Sequence, residues 1–262
     1  MTSPHRIGLI VPSSNTTMET ELPELFRRHG TETGESFTWH SARARLSQVT
    51  AEELDRMVIA SDVAAQSLAD APVEAIAYAC LVAVLARGPG AHRDVQARLE
   101  RALDESPRQP PVVTSAGALI DGLAALGARR IAIITPYMRP LAALVADYLR
   151  SEDIDVAGVV ALEVADNVEV GRIPSDVLVE QARRIAAEHD RLDALVLSAC
   201  VQMPSLAVVE RVEQSIGIPV VTAATATARS IFLALGLEPV VPGAGSMLAA
   251  RTGAARGPVA TS

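Results

Sequence analysis

Apolar residues along this chain fall into short β-branched runs that alternate with stretches of helical spacing. That is the pattern of a parallel sheet covered on both faces. In the first half the runs predict strands over 6–11, 36–42, 73–79 and 111–114, with helices from about 17 to 28, from 50 onward and from 91 to 105. Leu54, Met57, Val58, Ala65 and Leu68 mark the inward face of the second helix, and Thr50 three residues ahead of Glu53 reads as a capping box. The second half repeats the plan, with strands over 130–135, 155–162 and 194–198 and helices over 140–150, 175–188 and 204–216. Leu141, Leu144, Val145 and Tyr148 share one side of the first of these helices; Leu178, Ala182 and Ile185 face inward from the second; Leu206, Val209 and Val212 lead the third. A strand at 220–222 and a helix at 225–235 close the second sheet or cross back to the first.

Two registers support an internal duplication. Ile7 to Pro12 matches Ile131 to Pro136 at an offset of 124 residues, and Cys80 matches Cys200 at 120. The expected fold class is α/β: two similar lobes in a pseudo-twofold relation, each with a parallel sheet flanked by helices. The first lobe takes 1–115 and 220–238, and the second takes 116–219. From Pro239 onward Gly, Ala and Ser dominate and periodicity vanishes, so 239–262 is expected to be a mobile tail outside the chemistry.

Composition narrows the picture. With 262 residues, 49% of them hydrophobic, the chain can bury a sizeable core as one large domain or two small lobes. A formal net charge of -8 argues against a nucleic-acid partner or an anionic membrane surface. No apolar run is long enough to span a bilayer, and the start lacks the apolar segment of a signal peptide. Two cysteines are too few for a disulfide framework, so a reducing cytoplasm is the expected location. The five histidines stand singly, without zinc-ligand spacing, and solvent exposure is expected for each. Dinucleotide loop, P-loop and nucleophile elbow are all missing, so no cofactor and no metal are expected.

In parallel α/β sheets ligands sit at the carboxyl ends of the strands, where helix N-termini present unpaired N–H groups. Four polar turns fall at such ends: Pro12-Ser13-Ser14-Asn15, Ala79-Cys80-Leu81-Val82, Thr135-Pro136-Tyr137 and Ala199-Cys200-Val201-Gln202. If the halves face each other, these turns line one cleft with a thiol on each wall. A lone free cysteine is most often a small buried filler. Two at matched strand ends, each just ahead of a helix, read instead as reactive groups, because a helix N-terminus favours the nucleophilic thiolate. Ser13-Ser14-Asn15-Thr16-Thr17 offers more hydroxyl and amide groups than one N-cap needs, and suits a carboxylate or phosphate. Tyr137 can donate to a ligand oxygen or simply pack. Asn167 lies in a turn, where Asn is ordinary. Arg43 and Arg45 read as surface charges.

The stretch Ile7-Gly8-Leu9-Ile10-Val11-Pro12-Ser13-Ser14-Asn15-Thr16-Thr17-Met18-Glu19 resembles the opening of the maleate cis-trans isomerases, in the aspartate/glutamate racemase superfamily. Trp39-His40-Ser41-Ala42-Arg43-Ala44-Arg45-Leu46 with Val49-Thr50, Tyr78-Ala79-Cys80-Leu81-Val82-Ala83, Thr135-Pro136-Tyr137 and Ser198-Ala199-Cys200-Val201-Gln202-Met203 are similar to that family too. The similarity runs from about residue 6 to 237 and departs from the family at Ala42 and Ala44, where bulkier residues are usual. Related arylmalonate decarboxylases carry one catalytic cysteine, whereas this chain has both. The resemblance implies two lobes with the active site in the cleft between them, no cofactor, a small dicarboxylate substrate and a homodimer. Cys80 would be the nucleophile and Cys200 its acid/base partner. Asn15, Tyr137 and Asn167 would hold the substrate carboxylates, with Ser14 and the backbone at Leu81, Val82, Val201 and Gln202 assisting. Maleate would become fumarate through a succinyl–cysteine thioether. Two opposed thiols also suit racemisation of an amino acid or other α-substituted acid, and the same cleft would suit a non-enzymatic anion-binding module.

Overall fold

A computed structural model of the protein describes residues 3–46 and 51–250. The first half runs β1 (His5–Pro12), α1 (Met18–Thr33), β2 (Phe37–Ala44), α2 (Ala51–Ala69), β3 (Ala75–Tyr78), α3 (Leu81–Leu85), α4 (Ala91–Ala102), β4 (Val112–Thr114) and α5 (Ser115–Ala125). The second runs β5 (Arg130–Thr135), α6 (Arg139–Ser151), β6 (Asp155–Ala161), α7 (Asn167–Val170), α8 (Ser175–Glu188), β7 (Ala194–Ser198), α9 (Val209–Ile216), β8 (Val220–Thr222) and α10 (Ala223–Ala234). The strands form two four-stranded parallel sheets ordered β2-β1-β3-β4 and β6-β5-β7-β8, the same topology twice. The expected α/β class and the duplicated plan are what the chain adopts.

The central strands explain why. β1, β3, β5 and β7 are almost wholly apolar and buried, as strands covered on both faces must be. Parallel pairing then forces a crossover helix between neighbours. In α1, Met18, Leu22, Leu25 and Phe26 turn inward, and the helix stops at Gly34, whose left-handed backbone (φ 80°) returns its N–H to Gly30 O at 2.8 Å. The duplication extends to single bonds. Ala79 N–H donates to Ile10 O at 2.8 Å, and Ala199 N–H donates to Ile134 O at 3.0 Å. Each cysteine therefore lies one residue past the last rung joining its strand to the sheet's centre.

The last helices of the two halves meet. Thr114 caps α5 by accepting from Gly117 N–H at 3.1 Å, and Thr222 caps α10 by accepting from Thr225 N–H at 3.1 Å. α5 and α10 pack against each other, and Thr227 Oγ1 donates to Ser115 Oγ at 2.9 Å across the contact. At Gly122 the tight neighbour is Met247, whose Sδ would lie 2.9 Å from an added Cβ. α10 also covers α1, β3 and β4 of the first half.

Several expectations are corrected. β8 hydrogen-bonds to β7 in the second sheet rather than joining the first lobe, since its register with Leu195 and Val196 continues that sheet. The helix α5 had no expected counterpart, because its small apolar residues carry little periodicity. Leu144, expected on the inner side of α6, is 50% exposed; the inner stripe runs through Ala142, Val145, Ala146 and Tyr148 instead. The expected mobile tail is packed as far as Leu248: Val241 and Leu248 are buried and joined by a 2.7 Å backbone bond. His29 and His92 are buried rather than exposed, each with ring nitrogens engaged, and the other three histidines are half-buried. The capping box at Thr50, the Val49-Thr50 part of the resemblance and the tail beyond Ala250 lie outside the described residues.

Candidate functional site

Two strand ends bring the cysteines to one place. Cys80 ends the β3 segment and opens α3; Cys200 follows β7 and leads into an irregular turn. Both thiols are free and buried, at 1% and 4% exposure. The charge of Cys200 raises the Cys80 thiol, and the hydroxyl of Tyr137, from the turn after β5, feels both thiols. Cys80, Cys200 and Tyr137, all buried, are thus near enough to influence one another's ionisation.

The 13–17 turn packs on the turn after Cys200. Asn15, fully buried, accepts from Met18 N–H through Oδ1 (3.0 Å) and donates through Nδ2 to Val201 O (3.0 Å). One Nδ2 hydrogen remains for a ligand. Asn167, the first residue of α7, donates through Nδ2 to Ser14 Oγ at 2.8 Å, and Ser14 in turn donates to Leu46 O at 2.9 Å. Asp166 caps α7 and so fixes Asn167 in place. Leu81 and Val82 are buried in the first turn of α3, where N–H groups lack intrahelical acceptors. Val201 meets Asn15 through its carbonyl. Gln202 is buried too, but its side-chain amide is engaged by protein on every side. Arg43, an expected surface charge, is exposed and bonded to Ser13 O (2.8 Å) and Glu19.

Burial dominates the electrostatics. It pushes the Cys80 thiol up to about 12, opposed by the Ala83 N–H and reinforced by Cys200. A rise from 9.0 to about 12 amounts to roughly 4 kcal/mol against the thiolate. The expectation that a helix N-terminus keeps this thiol ionised is therefore corrected: α3 has only 5 residues, and desolvation outweighs its dipole. Burial also raises Cys200, but there three donors oppose it: the Tyr137 hydroxyl and the N–H groups of Gln202 and Met203.

Two supporting residues went unread in the sequence. Glu21 of α1 is buried and accepts from Ser205 N–H (2.6 Å) and Leu206 N–H (2.7 Å), which anchors the turn beyond Cys200. Its signal was present, because position 21 falls on the apolar stripe of Met18, Leu22 and Leu25. Ser198 donates to Cys200 O (2.8 Å) and Met203 O (3.1 Å), folding that turn on itself.

The chain matches known proteins over nearly its whole length. The family model for arylmalonate decarboxylase covers residues 7–248. A maleate isomerase from Alcaligenes faecalis is 49% identical over 245 residues, spanning 93% of this chain and 96% of that protein. The chain belongs to the maleate isomerase family. The crystal structure of the maleate isomerase Iso from Pseudomonas putida S16 superimposes with a TM-score of 0.91 at 47% identity, covering 94% of this chain and 99% of that one. A cysteine-to-serine variant of the Nocardia farcinica maleate cis-trans isomerase, with a covalently bound succinylcysteine intermediate, matches at a TM-score of 0.89 and 48% identity, covering 94% and 98%. The resemblance read from the motifs is thus confirmed, and the chain is an isomerase of the racemase-like superfamily.

Proposed function

We infer that this protein converts maleate to fumarate, with Cys80 as nucleophile and Cys200 as the proton carrier. What supports the assignment is the burial of two thiols, one from each half, both close enough to raise the Tyr137 hydroxyl. The Cys200 thiolate takes the Cys80 proton as the Cys80 sulfur adds to one alkene carbon, and the π pair moves to the neighbouring carbon beside a carboxylate. Cys200 delivers its proton there, leaving a succinyl thioether whose carbon–carbon bond is single and turns by half a revolution. The Cys200 thiolate then retrieves a proton from that carbon, the double bond re-forms in the trans sense and Cys80 departs. Charge building beside the carboxylate needs donors, which Asn15, Asn167, Tyr137 and the free N–H groups at Leu81 and Val82 supply. Ser14 holds Asn167 to its aim.

The buried, reduced thiols support a cytoplasmic site of action. Among the described residues no helix is long and apolar enough to cross a membrane. The family resemblance supports a homodimer, which sedimentation would read directly.

The deciding experiment incubates the purified protein with maleate and follows fumarate, with L-aspartate and L-glutamate as parallel substrates. Fumarate forms from maleate, Cys80→Ala abolishes turnover and Cys200→Ala nearly does. Turnover retained in Cys80→Ala overturns the scheme. Optical rotation changing on the amino acids alone points to the racemase reading, and binding without any chemical change points to an anion-binding module.

A further inference from the structure

We propose that Gln202 is a positioning residue, whose side-chain amide pins the 13–17 turn and the Asn167 turn onto the Cys200 turn so that groups from both halves converge on the substrate. The inference rests on the function proposed above. It changes the role expected for Gln202, from a group assisting the substrate to one that sets the aim of its neighbours.

A glutamine amide has two acceptor sites on oxygen and two hydrogens on nitrogen. All four are in use. Oε1 accepts from Thr16 N–H at 3.0 Å and Thr17 N–H at 3.4 Å, and Nε2 donates to Ser14 O at 3.3 Å and Asn167 O at 3.1 Å. No capacity remains for a substrate carboxylate. The orientation is fixed by chemistry, since a flipped amide would set its nitrogen against two N–H groups and its oxygen against two carbonyls.

The backbone of the same residue completes the tie. Its carbonyl accepts from Thr17 Oγ1 at 2.7 Å, and its N–H points to Cys200 Sγ at 3.4 Å. Thr17 stands at the N-cap of α1 and makes no side-chain cap bond; its hydroxyl donates to Gln202 O. Cys200, the Asn15 turn and the Asn167 turn therefore reach one residue by direct hydrogen bonds. The chain is also shaped to admit the amide: a Cβ on Gly171, just past α7, would lie 2.7 Å from Gln202 Nε2, so any side chain there displaces it.

Such a residue acts on how well the reacting groups are aimed, and a misplacement of about 1 Å costs about 100-fold in rate. The test compares steady-state kinetics on maleate for the unaltered protein, Gln202→Glu and Gly171→Ala. Gln202→Glu keeps the shape but sets a carboxylate oxygen against the Ser14 and Asn167 carbonyls. Gly171→Ala leaves residue 202 intact and pushes on it from outside, so it serves if the first variant does not fold. Both variants are expected to lose about 10- to 100-fold in kcat, with KM changed by less than about threefold. A raised KM at unchanged kcat in Gln202→Glu would mean direct substrate binding and overturn the proposal, as would unchanged kinetics in both. Absence of fumarate from the unaltered protein sinks the proposed function together with this inference. Normal turnover with indifferent variants sinks this inference alone.

Discussion

Cys80 and Cys200 leave equivalent strands through equivalent backbone bonds, yet their surroundings differ. The Cys80 thiol meets a single N–H, from Ala83 in the short helix α3, and burial holds it up to about 12. The Cys200 thiol meets a phenol and two N–H groups, and the turn that follows it is tied down by Glu21, Ser198 and Gln202. The chain repeats its strand–helix plan but has not kept the turns alike. In the proposed scheme the weakly supported sulfur forms the bond, and the braced sulfur, whose ionised form meets more donors, carries the proton. Duplication supplied symmetry of position, and the divergent turns supplied a division of labour.

The largest effect on this contrast is expected from Tyr137→Phe, which removes the donor that the Cys80 end lacks. We predict a fall in kcat of about 10²- to 10³-fold, the usual cost of losing one donor at a developing charge. The pH profile supplies the sign. Tyr137 lowers the Cys200 pKa, so its loss raises it. Cys200 has to be ionised to take the Cys80 proton, so the acid limb of kcat/KM moves to higher pH. A limb that stays in place would break the comparison, since Cys200 would then owe nothing to the phenol.

Next comes the bracing of the Cys200 turn. Glu21→Ala leaves the Ser205 and Leu206 N–H groups buried without their acceptor, and should lower unfolding free energy by about 2–4 kcal/mol in urea titrations. A loss well under 1 kcal/mol would show that the turn is held by other means.

The smallest effect belongs to the Cys80 side. The hydroxyl of Tyr78 is buried without a hydrogen-bond partner among the described residues; Ser61 beside it gives its hydrogen to Met57 O at 2.7 Å. Tyr78→Phe should leave kcat unchanged and stability within about 1 kcal/mol, unchanged or improved. A marked loss of activity would mean that the Cys80 end has polar support after all, and would narrow the contrast between the two thiols.

Much of this was readable from the residues. The alternation of apolar runs and helical spacing gave the two sheets and nearly all long helices. The matched Ala-Cys strand ends and the Ser13-Ser14-Asn15-Thr16-Thr17 turn marked the site. Other features were not readable. Helix α5 hides because small residues such as Ala116, Gly117, Ala118 and Gly122 show little periodicity, and their value appears only when α10 packs on them. The sheet of the edge strand β8 was open in the sequence because Val220-Val221-Thr222 would fit either, and only its pairing with β7 decides.

By itself, the sequence determined the local matters: where strands and helices form, that the plan occurs twice, and which chemically capable residues stand at strand ends. Tertiary structure alone decided which of those residues are free to act. Asn15 and Val201 are 186 positions apart and Gln202 and Asn167 are 35 apart, so no periodicity or spacing links them. Burial likewise belongs to the assembled fold. A thiol at a helix start looks activated in one dimension, and only the surrounding protein, by excluding water, reverses the sign of its shift.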